Sequence, residues 1–221
     1  QAKNELKRMA DMAQENLDRS IKGFLNQSDE YLNKIYHREE DINNVSHAIT
    51  DYLVKSNQLS LPLADQKILG SMFYVVNDIE RIGDHAENFA DYTKTELKHN
   101  TGLTGDAKEE IKKMYEAVSK LLKLSLESFM AQDGVNTQED KLAEIAALEA
   151  SIDKMERRYQ KHHIKRLAKG DCEPRAGLLF SDMLSELERI ADHSVNIAYS
   201  MSDEDEDEML AAENEALATN N

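Results

Sequence analysis

The chain has 221 residues, 40% hydrophobic and 32% charged, with 8 Gly, 2 Pro, no Trp and one cysteine. So few turn residues exclude a sandwich or barrel, and the lone Cys172 excludes a disulfide framework or thiolate-rich metal site and suits a reducing, cytoplasmic compartment. A net charge of −16 opposes general binding to nucleic acid or anionic membrane, and no apolar run approaches the ~20 residues of a membrane span, so no membrane insertion is expected.

Ala, Leu, Glu, Lys, Asn and Met favour helix, and the apolar spacing predicts six helices near 2–26, 29–57, 63–99, 105–131, 138–169 and 174–201. Pro62 precedes the third helix, in which Val75, Ile79, Ile82, Ala86, Phe89 and Ala90 form one apolar stripe. Gly102 and Gly105 mark a junction, followed by Asp106 with Glu109 as an N-cap signature. Thr137 with Asp140 gives the same signature for the fifth helix, which Gly134 and Gly170 bound, and Pro174 opens the sixth. Short loops make sequential helices antiparallel neighbours. Late in the fifth helix, Arg157 to Lys169 holds six bases, His162–His163 and no acid: either a solvated face or a docking surface for an acidic or membrane-proximal partner. Residues 202–221 carry eight acids and no base, which predicts a disordered, solubilising tail, with a short helix over Met209–Leu217 as the alternative.

The chain is one unit written twice. NDIERIGDHAENFADY at 77–92 recurs as SELERIADHSVNIAYS at 185–200, matching Glu80, Arg81, Ile82, Asp84, His85 and Asn88 with Glu188, Arg189, Ile190, Asp192, His193 and Asn196. Upstream, Met9, Leu17, Ser20 and Phe24 echo Met114, Leu122, Ser125 and Phe129, while Ile35, Glu39 and Ile42 echo Ile145, Glu149 and Ile152. The fold expected is therefore all-α, two tandem antiparallel three-helix bundles: units 1–101 and 102–201, then the tail 202–221.

At ~100° per residue, Glu80, Asp84, Glu87, Asn88 and Asp91 share about a third of a helix circumference, and Glu188, Asp192 and Asn196 form the same row in the second copy. Like charges four apart cost ~0.2–0.5 kcal/mol per pair, so both copies ask for compensation. One reading is a solvated face locked by ion pairs, with Asp78 and Asp84 three residues either side of Arg81, and Glu186 and Asp192 likewise about Arg189. The other is a cation site. The second helix of each unit carries a matching pair, Glu39 with Asn43 and Glu149 with Asp153, and two such helices side by side converge four oxygen-donor groups suited to a hard or borderline divalent or trivalent cation. His85 and His193 lie ~100° off this row, which favours a capping or interhelical hydrogen bond over ligation.

With ERI-x-DH-x-x-N read at 80–88 and again at 188–196, residues 1–201 resemble the PhoU family. The resemblance implies two three-helix bundles related by pseudo-twofold symmetry, multinuclear clusters of iron or a similar metal, and negative regulation of phosphate uptake and signalling without catalysis. Carried over by position, the implied ligands are Glu39, Glu80 and Asp84 in one unit and Glu149, Asp153, Glu188 and Asp192 in the other; Asn43 stands where the second unit has Asp153, which implies a weaker first site. The Asp-Leu-Arg usual before the third helix of stand-alone members is absent, and the segment from Phe73 to Tyr92 looks more like the PhoU-like domain of bacterial sodium/phosphate cotransporters. A start at Gln1 fits a cytoplasmic domain cut from such a transporter, tethered at the cytoplasmic face of the membrane. The implied partner is a transporter membrane domain, in the same polypeptide or another, or a phosphate-signalling protein; a homodimer stays open. A di-iron carboxylate enzyme is the contrasting reading, but that class wants two Glu-x-x-His pairs and only Glu96–His99 is present. A metal-free interaction module is the third.

Overall fold

The computed structural model describes residues 2–99, 102–131 and 135–200. Six α-helices run as α1 (Ala2–Leu25), α2 (Leu32–Asn57), α3 (Leu63–His99), α4 (Gly105–Met130), α5 (Val135–Lys169) and α6 (Pro174–Tyr199), with no strand among the described residues. The all-helical expectation is met. Helices α1, α2 and α3 pack on one another, α4, α5 and α6 do the same, and the two triplets join along α3 against α6 and α1 against α4. The proposed tail helix at 209–217 lies outside the described residues.

The residues that echo between the copies are those that fill the core. Met9, Leu17 and Phe24 of α1 are buried, as are Met114, Leu122 and Phe129 of α4, and Ile35 and Ile42 match buried Ile145 and Ile152. Apart from Ile35, these side chains, with Phe89 of α3 and Phe180 of α6, belong to one continuous apolar cluster through both repeats.

Helix ends differ from expectation where local polar chemistry intervenes. α2 starts at Leu32 rather than near 29, because the Ser28 hydroxyl accepts the Glu30 amide at 3.3 Å and the Asp29 carbonyl accepts the Leu32 amide at 3.1 Å, holding a turn there. α1 closes in a Schellman motif: the amides of Ser28 and Gln27 donate to the carbonyls of Gly23 and Phe24, with Gln27 left-handed at φ 51°. α5 closes the same way on Gly170, φ 73°, through the Asp171 amide to the Arg166 carbonyl. The expected cap at Asp106 is corrected. Thr104 is the N-cap of α4, in an extended conformation with its hydroxyl accepting the Ala107 amide, and Asp106 lies in the first turn. A hydroxyl two residues earlier meets the free amide first, leaving Asp106 only the helix dipole. α5 begins at Val135, so Thr137 lies inside the helix and is not its cap.

This assignment is checked by urea unfolding: Thr104→Ala should cost about 1 kcal/mol, and Asp106→Ala no more than about half of that.

Candidate functional site

The repeated motif divides into two faces. Asp78, His85 and Tyr92 are seven residues apart on α3, one side of the helix, and they face α6. There the His85 Nδ1–H donates to Glu186 in a very short hydrogen bond, Asn88 Nδ2 donates to the same carboxylate at 3.0 Å, and Tyr92 adds a 3.4 Å contact. The second copy returns the arrangement: His193 Nδ1–H donates to Asp78 at 2.8 Å and Asn196 Nδ2 reaches it at 3.4 Å. A carboxylate only accepts, so each imidazole holds its proton on Nδ1. Residue 85 opposes 186 and residue 78 opposes 193, so α3 and α6 cross antiparallel about a pseudo-twofold axis, with the His85 and His193 rings 5.6 Å apart beside it. Burial raises the Glu186 carboxyl, but hydrogen bonds from His85 and Asn88 outweigh it and hold the group below its ordinary value.

Asp78 and Glu186 are thus interface residues. The expected Asp78–Arg81 pairing gives way to His193, Arg81 turns to Asp84 at 3.2 Å, and Arg189 keeps only a 3.5 Å contact with Glu186. Asn88 and Asn196 leave the acidic row for the interface as well. The histidines take the interhelical role expected of them.

The other face of the motif looks toward the second helix of each unit. In the first, Glu39 of α2 is 3% exposed, and neither carboxylate oxygen has a hydrogen-bond partner. It fits because residue 83 is glycine: a Cβ there would lie 2.6 Å from Glu39 Oε2 and 3.3 Å from Ile42 Cγ2. Burial, then the charges of Asp84, Glu87 and Glu80, push the Glu39 carboxyl up to about 8. Burial and Asp84 raise Glu80, while burial, Asp91 and Asp84 raise Glu87. Asn43 is half-buried on α2. In the second unit, burial and then Asp192 and Asp153 raise Glu149; burial and then Asp192, Glu156 and Asp153 raise Glu188; Asp192 itself is raised by burial and Asp153 against the pull of His193. The equivalent of Gly83 here is Ala191, and Glu149 is only half-buried, Asp192 exposed. Each row therefore brings its predicted acids within electrostatic reach, yet among the described residues no three His, Cys, Asp or Glu side chains are arranged as a metal-ligand group.

Elsewhere the chemistry is structural. Glu96 is buried and accepts from Gln27 at 3.0 Å while His99 is exposed, so this Glu-x-x-His does not converge on a site. His162 and Arg166 clamp Glu110 of α4 at 2.6 and 2.8 Å, and His163 is buried against Phe180. A cavity of about 360 Å³ between α1 and α4, lined by Leu6, Ala10, Leu126 and Phe129, lies away from both acid rows.

An acid whose folded value is raised is favoured by the fold in its protonated form. That contribution is full below the ordinary 4.5 and is lost as pH rises toward about 8. Urea midpoints of metal-free protein should fall between pH 5 and 8, and Glu39→Gln should flatten the profile and raise stability at pH 8 by about 2 kcal/mol. Gly83→Ala should displace the flexible Glu39 tip into water, flatten the same profile and hold stability within ~1 kcal/mol of the parent, because alanine is the better helix former. At the interface, Glu186→Ala leaves buried donors unpaired and should cost about 1–3 kcal/mol, read from the same unfolding curves.

Known proteins share this architecture. The chain is 20% identical over 196 residues to the "Phosphate-specific transport system accessory protein PhoU homolog 1" of Thermotoga maritima, spanning 88% of this chain and 82% of that one. A homologous accessory protein of Clostridium acetobutylicum is 23% identical over 199 residues, 89% and 87% of the two chains. The crystal structure of PhoU from Pseudomonas aeruginosa superposes with a TM-score of 0.79 at 21% identity, covering 90% of this chain and 92% of that one. The sequence pattern of the PhoU domain matches residues 6–93 and again 111–201, one copy for each helical triplet, and the chain belongs to the PhoU family.

Proposed function

We propose that this chain is a PhoU-type regulator of phosphate transport whose two acid rows hold hard cations and so set the surface offered to a transporter or signalling partner. Family membership across both repeats supports the regulatory part, and the relatives at 20% and 23% identity are named as accessory proteins of phosphate-specific transport. The observation that carries the cation is Glu39: two buried carboxylate oxygens without hydrogen-bond partners, in the field of three further acids. A buried carboxylate must be neutralised by a proton or a cation, and the neighbours are all oxygen donors, the set that hard ions prefer.

Glu39, Asn43, Glu80 and Asp84 would hold the cation in the first unit and Glu149, Asp153, Glu188 and Asp192 in the second. Iron or a similar ion, singly or as a cluster, would suit so many oxygen donors. The bound metal supplies charge neutralisation and a tie between neighbouring helices. The protein's own groups do the rest: the histidine–acid pairs hold α3 against α6, and the acid rows flank that seam. Docking is to the membrane domain of a transporter, and the likeness of Phe73–Tyr92 to cotransporter domains favours a sodium/phosphate cotransporter, the chain lying at its cytoplasmic face. No helix among the described residues is long and apolar enough to cross a membrane itself. Membership of a family whose relatives are named as transport accessory proteins supports a regulatory role over a catalytic one.

Elemental analysis and thermal melting before and after chelation test the cation. A hundredfold excess over Kd should stabilise by about 2.7 kcal/mol, and Asp84→Asn with Asp192→Asn should lower both metal content and that gain. No bound cation and an unchanged melting temperature would leave a metal-free interaction module. Restored control of phosphate uptake by the parent chain, and not by the double variant, tests the link to regulation.

A further inference from the structure

The tip of the α5–α6 hairpin carries a surface that neither acid row uses. The two helices meet closely there: a Cβ at Gly177 would lie 2.5 Å from His163 Cε1 and 3.3 Å from Leu167 Cδ2. One residue beyond each contact point, a turn of ~100° carries Ile164 and Leu178 to the same side of the hairpin, since antiparallel helices rotate in opposite senses along a common axis. The other side is taken by α4, whose Glu110 binds His162 and Arg166. On the open side Ile164 is 62% exposed, Leu178 65% and Leu167 38%. Lys161 stands one turn before Ile164 and Arg175 one turn before Leu178; both are exposed and have no ion-pair partner among the described residues, whereas Lys165 turns to the α4 side and shares a recess with Asp106, Glu109 and Glu110.

From Arg157 to Asp182 the chain has seven Lys and Arg against Asp171, Glu173 and Asp182, a local inversion within a molecule of net charge −16. At ~1.5 Å per helical residue, Glu188 of the nearest acid row is ~15 Å from Leu178 along α6. That distance exceeds the ~8 Å Debye length at physiological salt, and the α4 acids Asp106, Glu109 and Glu110 lie on the opposite side, with His162 and Arg166, so the open side presents Lys161 and Arg175 to an approaching surface.

We propose that this tip docks on an anionic lipid surface. Aliphatic side chains framed by Lys and Arg are what an anionic headgroup layer takes up: the apolar groups enter the boundary and the cations remain with the phosphates. Among the described residues the open side exposes no aromatic anchor of the kind a protein hot spot uses. This inference stands independently of the cation reading.

The test is co-sedimentation of the full chain with phosphatidylcholine vesicles containing 30% phosphatidylglycerol, at 0.1 M salt. The parent protein should sediment with these and not with pure phosphatidylcholine. Each charge near such a surface is worth about fivefold in binding, so Lys161→Gln and Arg175→Gln together should weaken it about twenty-fivefold. Ile164→Ser with Leu178→Ser should weaken it at least tenfold with the charge unchanged, and Lys55→Gln on α2 should have no effect. All these positions are exposed, and unchanged circular dichroism melting confirms folding. Failure to sediment, or a double charge variant that binds like the parent, overturns the proposal. Binding of soluble poly-glutamate without vesicle binding overturns it too, in favour of an acidic protein partner.

Discussion

Two carboxylates buried in an otherwise apolar seam constrain everything around them. Asp78 and Glu186 must be satisfied where water does not reach, and the donors come from the opposite repeat. Because each acid lies seven residues before the histidine of its own helix, two full turns, both pairs close only when α3 and α6 run antiparallel with one register. A one-residue slip would orphan two acids and two imidazoles at once. Such pairs define the arrangement more than they stabilise it, since the desolvation of the charges offsets much of their attraction. Once α3 and α6 are fixed, the ~100° turn to Asp84 and Asp192 puts both acid rows against the second helices of their own bundles.

The rows and the seam solve opposite electrostatic problems. At the seam every acid has a hydrogen-bond donor, and Glu186 lies below its usual range. In the rows acids face acids, and each raised group there owes its shift first to burial and then to like charge. The fold thus satisfies Asp78 and Glu186 fully and leaves Glu39 with neither carboxylate oxygen hydrogen-bonded.

Most of the architecture was legible because duplication prints the core twice. Phe24 with Phe129 and Ile42 with Ile152 recur in sequence and are buried in space. Helix ends were less so, since a Ser28 turn or a Thr104 cap depends on one hydroxyl reaching one amide. The two faces of the repeated motif were the deeper difficulty. Glu80 and Asp84 point one way, His85 and Asn88 another, and linear spacing makes Arg81 the obvious partner for Asp78. The true partners are separated by 101 and 115 residues. One signal was available: an acid, then a histidine seven residues later, in both copies, is the pattern that reciprocal pairing across a twofold requires. That Glu39 would be buried rather than solvated could not be read locally, because the space comes from a missing side chain on another helix.

That missing side chain makes the halves of a symmetrical molecule chemically unequal. Where the first repeat has glycine the second has Ala191, and the glutamate opposite is sheltered in one case and wetted in the other. On the cation reading proposed above, an ion would displace a proton from a buried acid at the first row and meet a half-buried one at the second. Glycine on one helix and alanine on its twin would then give the two rows different thresholds.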